Sequence, residues 1–412
     1  MRKIIRFINN YSKDIIQLGL SLVVIVIAFV VYHKGIDEIN IDIFITFIYV
    51  CVCTFLANVI YYWICKFTED RRKITTDYGG LCNRYSRETL LKYYNNKNGK
   101  VEETTFPVIC LDERGVNQEP YNIILNHSHS QKEYKLPHKI EENYGMLMKA
   151  HSHSFKYNNR TVRLDDFYKS GNKVILTYSN ATYWDLLVTN RAMDYEWNDG
   201  STIREMYEPG PYINTLPNSK MANHIGINGI IEIPYHGVLF VKRSNKLSIG
   251  KRTWGTGVAS KLDVEYDYKK REYLTIDKIY EAIAESINRE LKCMKIEGKD
   301  VALSAEDVKG SVFAFYRDLV EGGKPQFVFY YKFPCDNNDG LKCEIKKKRK
   351  TKLIRKAQKT AAIDGTKYMF ITIDELKASI IDNKGIKRPN KKCYNKMMPS
   401  ASIVMFLKAY EK

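Results

Sequence analysis

WGTGVASK at residues 254–261 and IDKIYEAIAESINRELKCM at residues 276–294 are the stretches on which the architecture turns. In the second, Ile276, Ile279, Tyr280, Ile283, Ile287, Leu291 and Met294 recur at three-four spacing, the period of one helix face, and predict a helix. The first is a glycine-punctuated turn. Before it lie two β-like runs, GINGIIEI (226–233) and GVLFVKR (237–243); after the helix come SVFAFYRDL (311–319) and QFVFYYKF (326–333). Strand, strand, loop, long helix, strand, strand predicts an α+β module.

Outward from this module, KYMFITI (367–373), a helical stretch from Asp374 and a last helix opening at Pro399 complete the C-terminal end. On the other side, the Pro/Gly/Asn cluster EPGPYINTLPNSK (208–220) marks a boundary. Between them and the N-terminus, FPVICL (106–111), YNIIL (121–125) and KVILTY (173–178) read as strands, and the stretch from about residue 74 to Lys100 reads as a polar helix. Three regions are expected: 1–66, a two-helix transmembrane hairpin; 67–220, a juxtamembrane helix and β-rich connection; and 221–412, a ligand-sensing domain.

The hairpin expectation rests on two uncharged runs, one from Ile15 to Tyr32 and one from Ile43 to Cys65. At about 1.5 Å per residue, each is roughly as long as a ~30 Å hydrocarbon core is thick. Arg2, Lys3, Arg6 and Lys13 before the first run, and Lys66, Arg71, Arg72 and Lys73 after the second, place both termini and the soluble region in the cytoplasm by the positive-inside rule. Asn58 and Gln17 are the polar groups expected to tie helices together, within one hairpin or between copies.

The chain of 412 residues carries 65 Lys+Arg against 47 Asp+Glu, a net charge of +18, with 44% hydrophobic residues, which excludes a disordered chain. Its mean hydropathy of −0.37 excludes a polytopic transporter. Nine scattered cysteines without a CxxC pair exclude a disulfide framework or zinc ribbon and suit a reducing compartment. Ser-His-Asp and Cys-His nucleophile patterns and the GxxxxGK[ST] and GxGxxG loops are absent.

The element order, with WGTGVASK and the RELK end of the helix (Arg289 to Lys292), resembles the Nudix fold, whose helix carries the box G-x5-E-x7-R-E-U-x-E-E-x-G-U. Glu281, Arg289, Glu290 and Leu291 satisfy E-x7-R-E-U, but Cys293-Met294 stands where the glutamate pair should follow. In the alternative register, Ser286 and Arg289 replace glutamates and Glu290 alone remains. Nudix hydrolysis needs several helix carboxylates converging on a divalent ion. At 100° per residue Glu281 and Glu285 share a face, while Glu290 lies about 140° around from Glu285. A degenerate Nudix domain without a metal face is therefore expected, with no catalytic residues and no cofactor.

A two-span anchor joined to such a domain resembles the membrane-anchored Nudix effectors of bacterial CBASS anti-phage operons, which carry a SMODS-associated Nudix domain. The resemblance implies an inner-membrane receptor that binds a cyclic oligonucleotide made by a partner cyclase, forms homo-oligomers and disrupts the bilayer. A membrane-tethered hydrolase of a nucleoside diphosphate derivative is the alternative, with Glu281, Glu285 and Glu290 holding magnesium.

Lys242, Arg243, Lys251, Arg252 and Trp254 fall on the strand and turn that would form the mouth of a Nudix pocket, where arginine meets phosphate and Trp stacks a base. A solvated β-edge with one core Trp explains them equally. Arg160 and Arg163 with Tyr183 are candidates for a second ligand wall, and Glu290 completes the ligand-binding set. The pairs His127/His129 and His151/His153 read as exposed loops rather than metal sites. The basic run from Lys346 to Lys359 reads as a solvated loop, with lipid headgroups as a second reading. A nucleic-acid polymer is not expected as a partner.

Overall fold

The computed structural model describes residues 74–412 apart from 98, 129–132, 152–157, 198, 245–248, 263–272, 336–342, 348–349, 354–357, 360–364, 390 and 399–400, and before residue 74 only Tyr49, Cys53, Ala57 and Ile60. The range Arg72–Lys412 forms one compact unit. The labelled strands are β1 (Val108–Glu113), β2 (Asn122–His127), β3 (Arg160–Ser170), β4 (Lys173–Thr182), β5 (Gly226–Ile233), β6 (Gly237–Arg243), β7 (Trp254–Thr256), β8 (Val258–Lys261), β9 (Val312–Asp318), β10 (Lys324–Lys332) and β11 (Gly365–Ile371). The labelled helices are α1 (Tyr183–Val188), α2 (Ile276–Leu291) and α3 (Ala401–Glu411).

The expected transmembrane hairpin is corrected here. Among the described residues no helix is long and apolar enough to cross a membrane. A crossing takes about 20 apolar residues, whereas α2 has 16 and carries Asp277, Lys278, Glu281, Glu285, Arg289 and Glu290, and α3 has 11. The runs bounded by Ile15 and Tyr32 and by Ile43 and Cys65, with Gln17 and Asn58, lie outside the described residues, except that Tyr49, Cys53, Ala57 and Ile60 are helical. The two-pass inner-membrane placement, with its cytoplasmic orientation and bilayer disruption, is withdrawn with the hairpin.

A nine-stranded mixed sheet forms the frame. Its main path runs from Gln358–Lys359 through β11, β6, β5, β10 and β9 to β1, while β8 pairs with β5 and β7 with β6. The β5–β10 pair is parallel, and the other pairs are antiparallel. Alternation along each strand splits the side chains between two cores. Ile227, Ile231, Phe315, Phe327 and Phe329 pack with α2, whereas Ile230, Phe313, Val328 and Tyr330 pack with α3.

Thr275 caps α2, its side chain accepting from the Lys278 N–H. Ile279, Ile283, Ile287 and Leu291 then bury the three-four stripe. The same core takes in Ile123, Val162, Leu164, Val174 and Leu176 of a second sheet of order β2–β4–β3, so α2 lies between two sheets. Helix α3 is buried nearly all round, with Phe406 against Tyr330 at 5.2 Å and Phe313 at 6.4 Å.

Strands β5 and β6 keep the expected bounds, and α2 ends three residues earlier than expected, giving way to the strand Met294–Ile296. The expected polar helix before Lys100 is instead a short helix, Tyr78–Arg84, followed by a hairpin of Leu91–Lys97 and Lys100–Phe106. Gly99, at φ +78°, closes that hairpin with its N–H donated to Asn96 Oδ1 at 3.2 Å. The basic run is partly strand: Cys343–Lys347 pairs with Lys350–Leu353 and with Met294–Ile296.

The β9–β10 turn is clasped by the segment between β4 and β5. Arg204, 2% exposed, donates to Leu319 O at 2.6 Å and Val320 O at 2.9 Å while forking onto both Asp194 oxygens at 2.7 and 3.0 Å. Removing one partner of a buried charged network typically costs about 3–5 kcal/mol. Arg204→Met is expected to lose about that much in urea denaturation, whereas Glu281→Gln on the exposed face of α2 should stay within about 0.5 kcal/mol.

Candidate functional site

Helix α2 distributes its carboxylates as the angular count requires. Glu281 and Glu285 are exposed, whereas Glu290 is 4% exposed and sits 3.9 Å from the Arg289 guanidinium. The Glu290 carbonyl accepts from the Tyr368 hydroxyl at 3.0 Å, fixing the end of the helix to β11. Among the described residues no three His, Cys, Asp or Glu side chains converge to hold a metal ion. The donor set expected for magnesium in a hydrolase does not fit these positions.

The first group of candidate cations meets at β6, β7 and β11. Lys242 Nζ stands 5.3 Å from the Trp254 ring centroid, and Lys242 faces Lys367 across the β6–β11 ladder. Burial lowers the Lys242 pKa, and the like charges of Lys367 and Lys396 lower it further, so three ammonium groups share this corner. Trp254 is 9% exposed and belongs to the α3 core, bridging to Met397. Its role as a core Trp is thus observed, with an ammonium over its ring. Lys251 and Arg252 lie on the turn entering β7, Arg252 exposed at φ +60°. Arg243 turns back, Nη2 donating to Ile249 O at 3.4 Å.

The second candidate wall is not assembled as a unit. Arg160 is half exposed and 3.5 Å from Glu133. Arg163 is buried, paired with Asp165, stacked 5.3 Å over Tyr134 and donating to Ser219 O at 3.1 Å; it holds the 208–220 segment against β3. Tyr183 opens α1 behind the capping box of Thr182 and Asp185, and it has different neighbours from those expected. Arg191 Nη1 donates to its hydroxyl at 3.2 Å, and Lys261 Nζ lies 4.7 Å from its ring centroid.

Arg191 leads to a buried ionic group that sequence reasoning did not find. Glu321, in the β9–β10 turn, is 3.2 Å from Arg191 Nε and 3.6 Å from Lys324 Nζ. Burial pushes Glu321 upward, but Lys324 and Arg191 outweigh it and leave its carboxyl below the usual range. Asp318, one turn away, is pushed up to about 7 by burial first and by Glu321 second. His224 is held well below its ordinary range by burial, then by Lys324, Lys261 and Arg191. The sequence signal for this group was the EGGK turn between two strands, a glycine pair flanked by opposite charges.

The remaining sequence candidates are dispersed. His127 packs between Tyr178 and Tyr273 at 5.3 and 5.6 Å, and His151 is buried; His129 and His153 lie outside the described residues. No family model and no curated protein matches the chain.

Asp318 keeps its proton in the folded chain between the ordinary carboxylate range near 4 and about 7. Over that window the native state binds more protons than the unfolded state, so this group's contribution falls as pH rises and is level above it. Asp318→Asn should therefore gain stability relative to the parent by up to about 1.4 kcal/mol per pH unit from pH 4 to 7. Denaturation of both proteins across that range measures it; a pH-independent difference contradicts it.

Proposed function

We propose that the chain is a receptor for a cyclic oligonucleotide second messenger, an effector of the CBASS anti-phage class whose Nudix-like domain binds nucleotide without hydrolysing it. The observation that carries this reading is the division of α2, with Glu281 and Glu285 in solvent and Glu290 buried on another face. A helix so divided offers no face on which all three carboxylates could hold a diphosphate-bound metal. A mixed sheet between two helices, with the long helix following the β5–β8 strands, supports the Nudix-like part.

Lys242, Lys367 and Lys396 supply the chemistry for the phosphodiesters. Clustered ammonium groups repel one another and hold a positive potential that an oligoanion relieves. A ligand that binds an assembled state more tightly than a single chain shifts the population toward that state. Homo-oligomers made on ligand binding follow from this differential affinity, with the cyclic oligonucleotide supplied by a partner cyclase.

The test is calorimetry and thermal denaturation of the full chain against a panel of cyclic di- and trinucleotides. A cognate ligand at 100 times its dissociation constant should add about 2.7 kcal/mol of stability. Lys367→Glu and Lys396→Glu, both on exposed positions, should each weaken binding about tenfold or more. Magnesium-dependent turnover that disappears in Glu290→Gln would instead establish a hydrolase.

A further inference from the structure

Three segments distant in sequence come together here: Tyr183 and the loop after α1 with Arg191, the end of β8 with Lys261, and the β9–β10 turn with Glu321 and Lys324. The sheet is notched at this point. Lys261 pairs with Gly226 of β5, and Gly226 pairs with Gln326 of β10. A Cβ placed on Gly226 would lie 2.8 Å from Lys324 Nζ and would collide with the Gln326 amide. Glycine therefore lets the Lys324 ammonium come down onto the strand between the two lysine-bearing neighbours.

The polar lining continues along the same face. Asn228 Nδ2 donates to Gln326 Oε1 at 3.0 Å and to the Tyr316 hydroxyl at 3.2 Å. The cations are inside the protein rather than on a solvated edge: the Lys324 side chain is 5% exposed and that of Arg191 is 18% exposed. Glu321 is shared between Arg191 and Lys324. Burial first, and Lys324, Lys261 and Arg191 after it, hold the buried His224 imidazole well below its ordinary range. Each of the three cations is thus within electrostatic reach of that imidazole.

We infer that Arg191 and Lys261, which meet at Tyr183, together with Lys324, which shares Glu321 with Arg191, form a binding site for one tetrahedral phosphate oxyanion. With Arg191 Nε on Glu321 and Nη1 on the Tyr183 hydroxyl, one guanidinium and two ammonium groups match such an oxyanion in charge. Tyr183 does not serve as a base platform here, because Arg191 and Lys261 lie 5.8 and 4.7 Å from its ring centroid. It orients the cations instead. The site is separate from the Lys242, Lys367 and Lys396 corner and stands whether or not that corner takes a cyclic oligonucleotide. The phosphate can be free or part of a nucleotide, and the two sources are separable.

The experiment is calorimetric titration of the full chain with inorganic phosphate against chloride at matched ionic strength, with NMR titration of the His224 imidazole in parallel. Phosphate should bind the parent protein and raise the His224 pKa. Lys261→Met should weaken phosphate at least tenfold, while Lys309→Met, at an exposed pair with Glu306, should not. No binding beyond chloride, or equal binding by Lys261→Met, overturns the inference. Should Lys261→Met fail to fold, an unmoved His224 resonance in the parent with saturating phosphate overturns it equally. Cyclic dinucleotide in place of phosphate separates the sources: displacement of phosphate assigns the site to a nucleotide phosphate, and simultaneous binding assigns it to free phosphate. Phosphate bound with every cyclic oligonucleotide refused would leave this site in place and remove the receptor reading.

Discussion

Glu321 holds Arg191 on one side and Lys324 on the other, inside the protein, and the rest of the structure is arranged around that contact. It sits in the turn of the β9–β10 hairpin, whose strands lie between β5 and the edge strand β1 of the nine-stranded sheet. The turn is gripped from outside by Arg204 on the Leu319 and Val320 carbonyls and by Asn190, whose side chain donates to Glu321 O at 2.8 Å. The glycines are fitted to the grip. Gly323, at φ +79°, lies so close to Ile213 and Arg317 that a side chain there would displace them.

Buried ion pairs of this kind add little net stability, because desolvation offsets most of the attraction, but losing one partner is costly. Their consequence is register. With the turn fixed, Lys324 must begin β10 over Gly226, which sets the parallel β5–β10 pairing from Gln326 onward. That pairing brings Lys261 beside the same point through β8 and aligns Phe327 and Phe329 with α2. A single polar contact thus positions both the apolar layer and the cations.

What the sequence disclosed follows from how local each signal is. Strands β5 and β6 were legible because their apolar runs and flanking turns are contained within a few residues, and α2 because Thr275 caps an uninterrupted three-four stripe. The segment before Lys100 was misread, since Leu91 to Lys97 is a strand only by pairing with Lys100 to Phe106. Arg163 looked like a ligand residue, yet a charged residue in a strand discloses neither its burial nor its partner; here Asp165, two positions on, shares its face. The Tyr183 group draws on positions 183, 191, 261, 321 and 324; the EGGK turn ties 321 to 324, but no local pattern connects that turn to the other three. The apolar runs in 15–65 carried the strongest sequence signal of all, and among the described residues no helix long and apolar enough to cross a membrane answers to it.

Reception without turnover is distinguished from hydrolysis at α2, where Glu281 and Glu285 are exposed while Glu290 is buried. Amide hydrogen exchange of the full chain with and without a cyclic dinucleotide, alongside chromatography of the nucleotide recovered from magnesium buffer, probes it most directly. Slower exchange across β6, β7 and β11, with the nucleotide recovered intact, is expected. Unchanged exchange in those strands, or nucleotide converted to product, would contradict it.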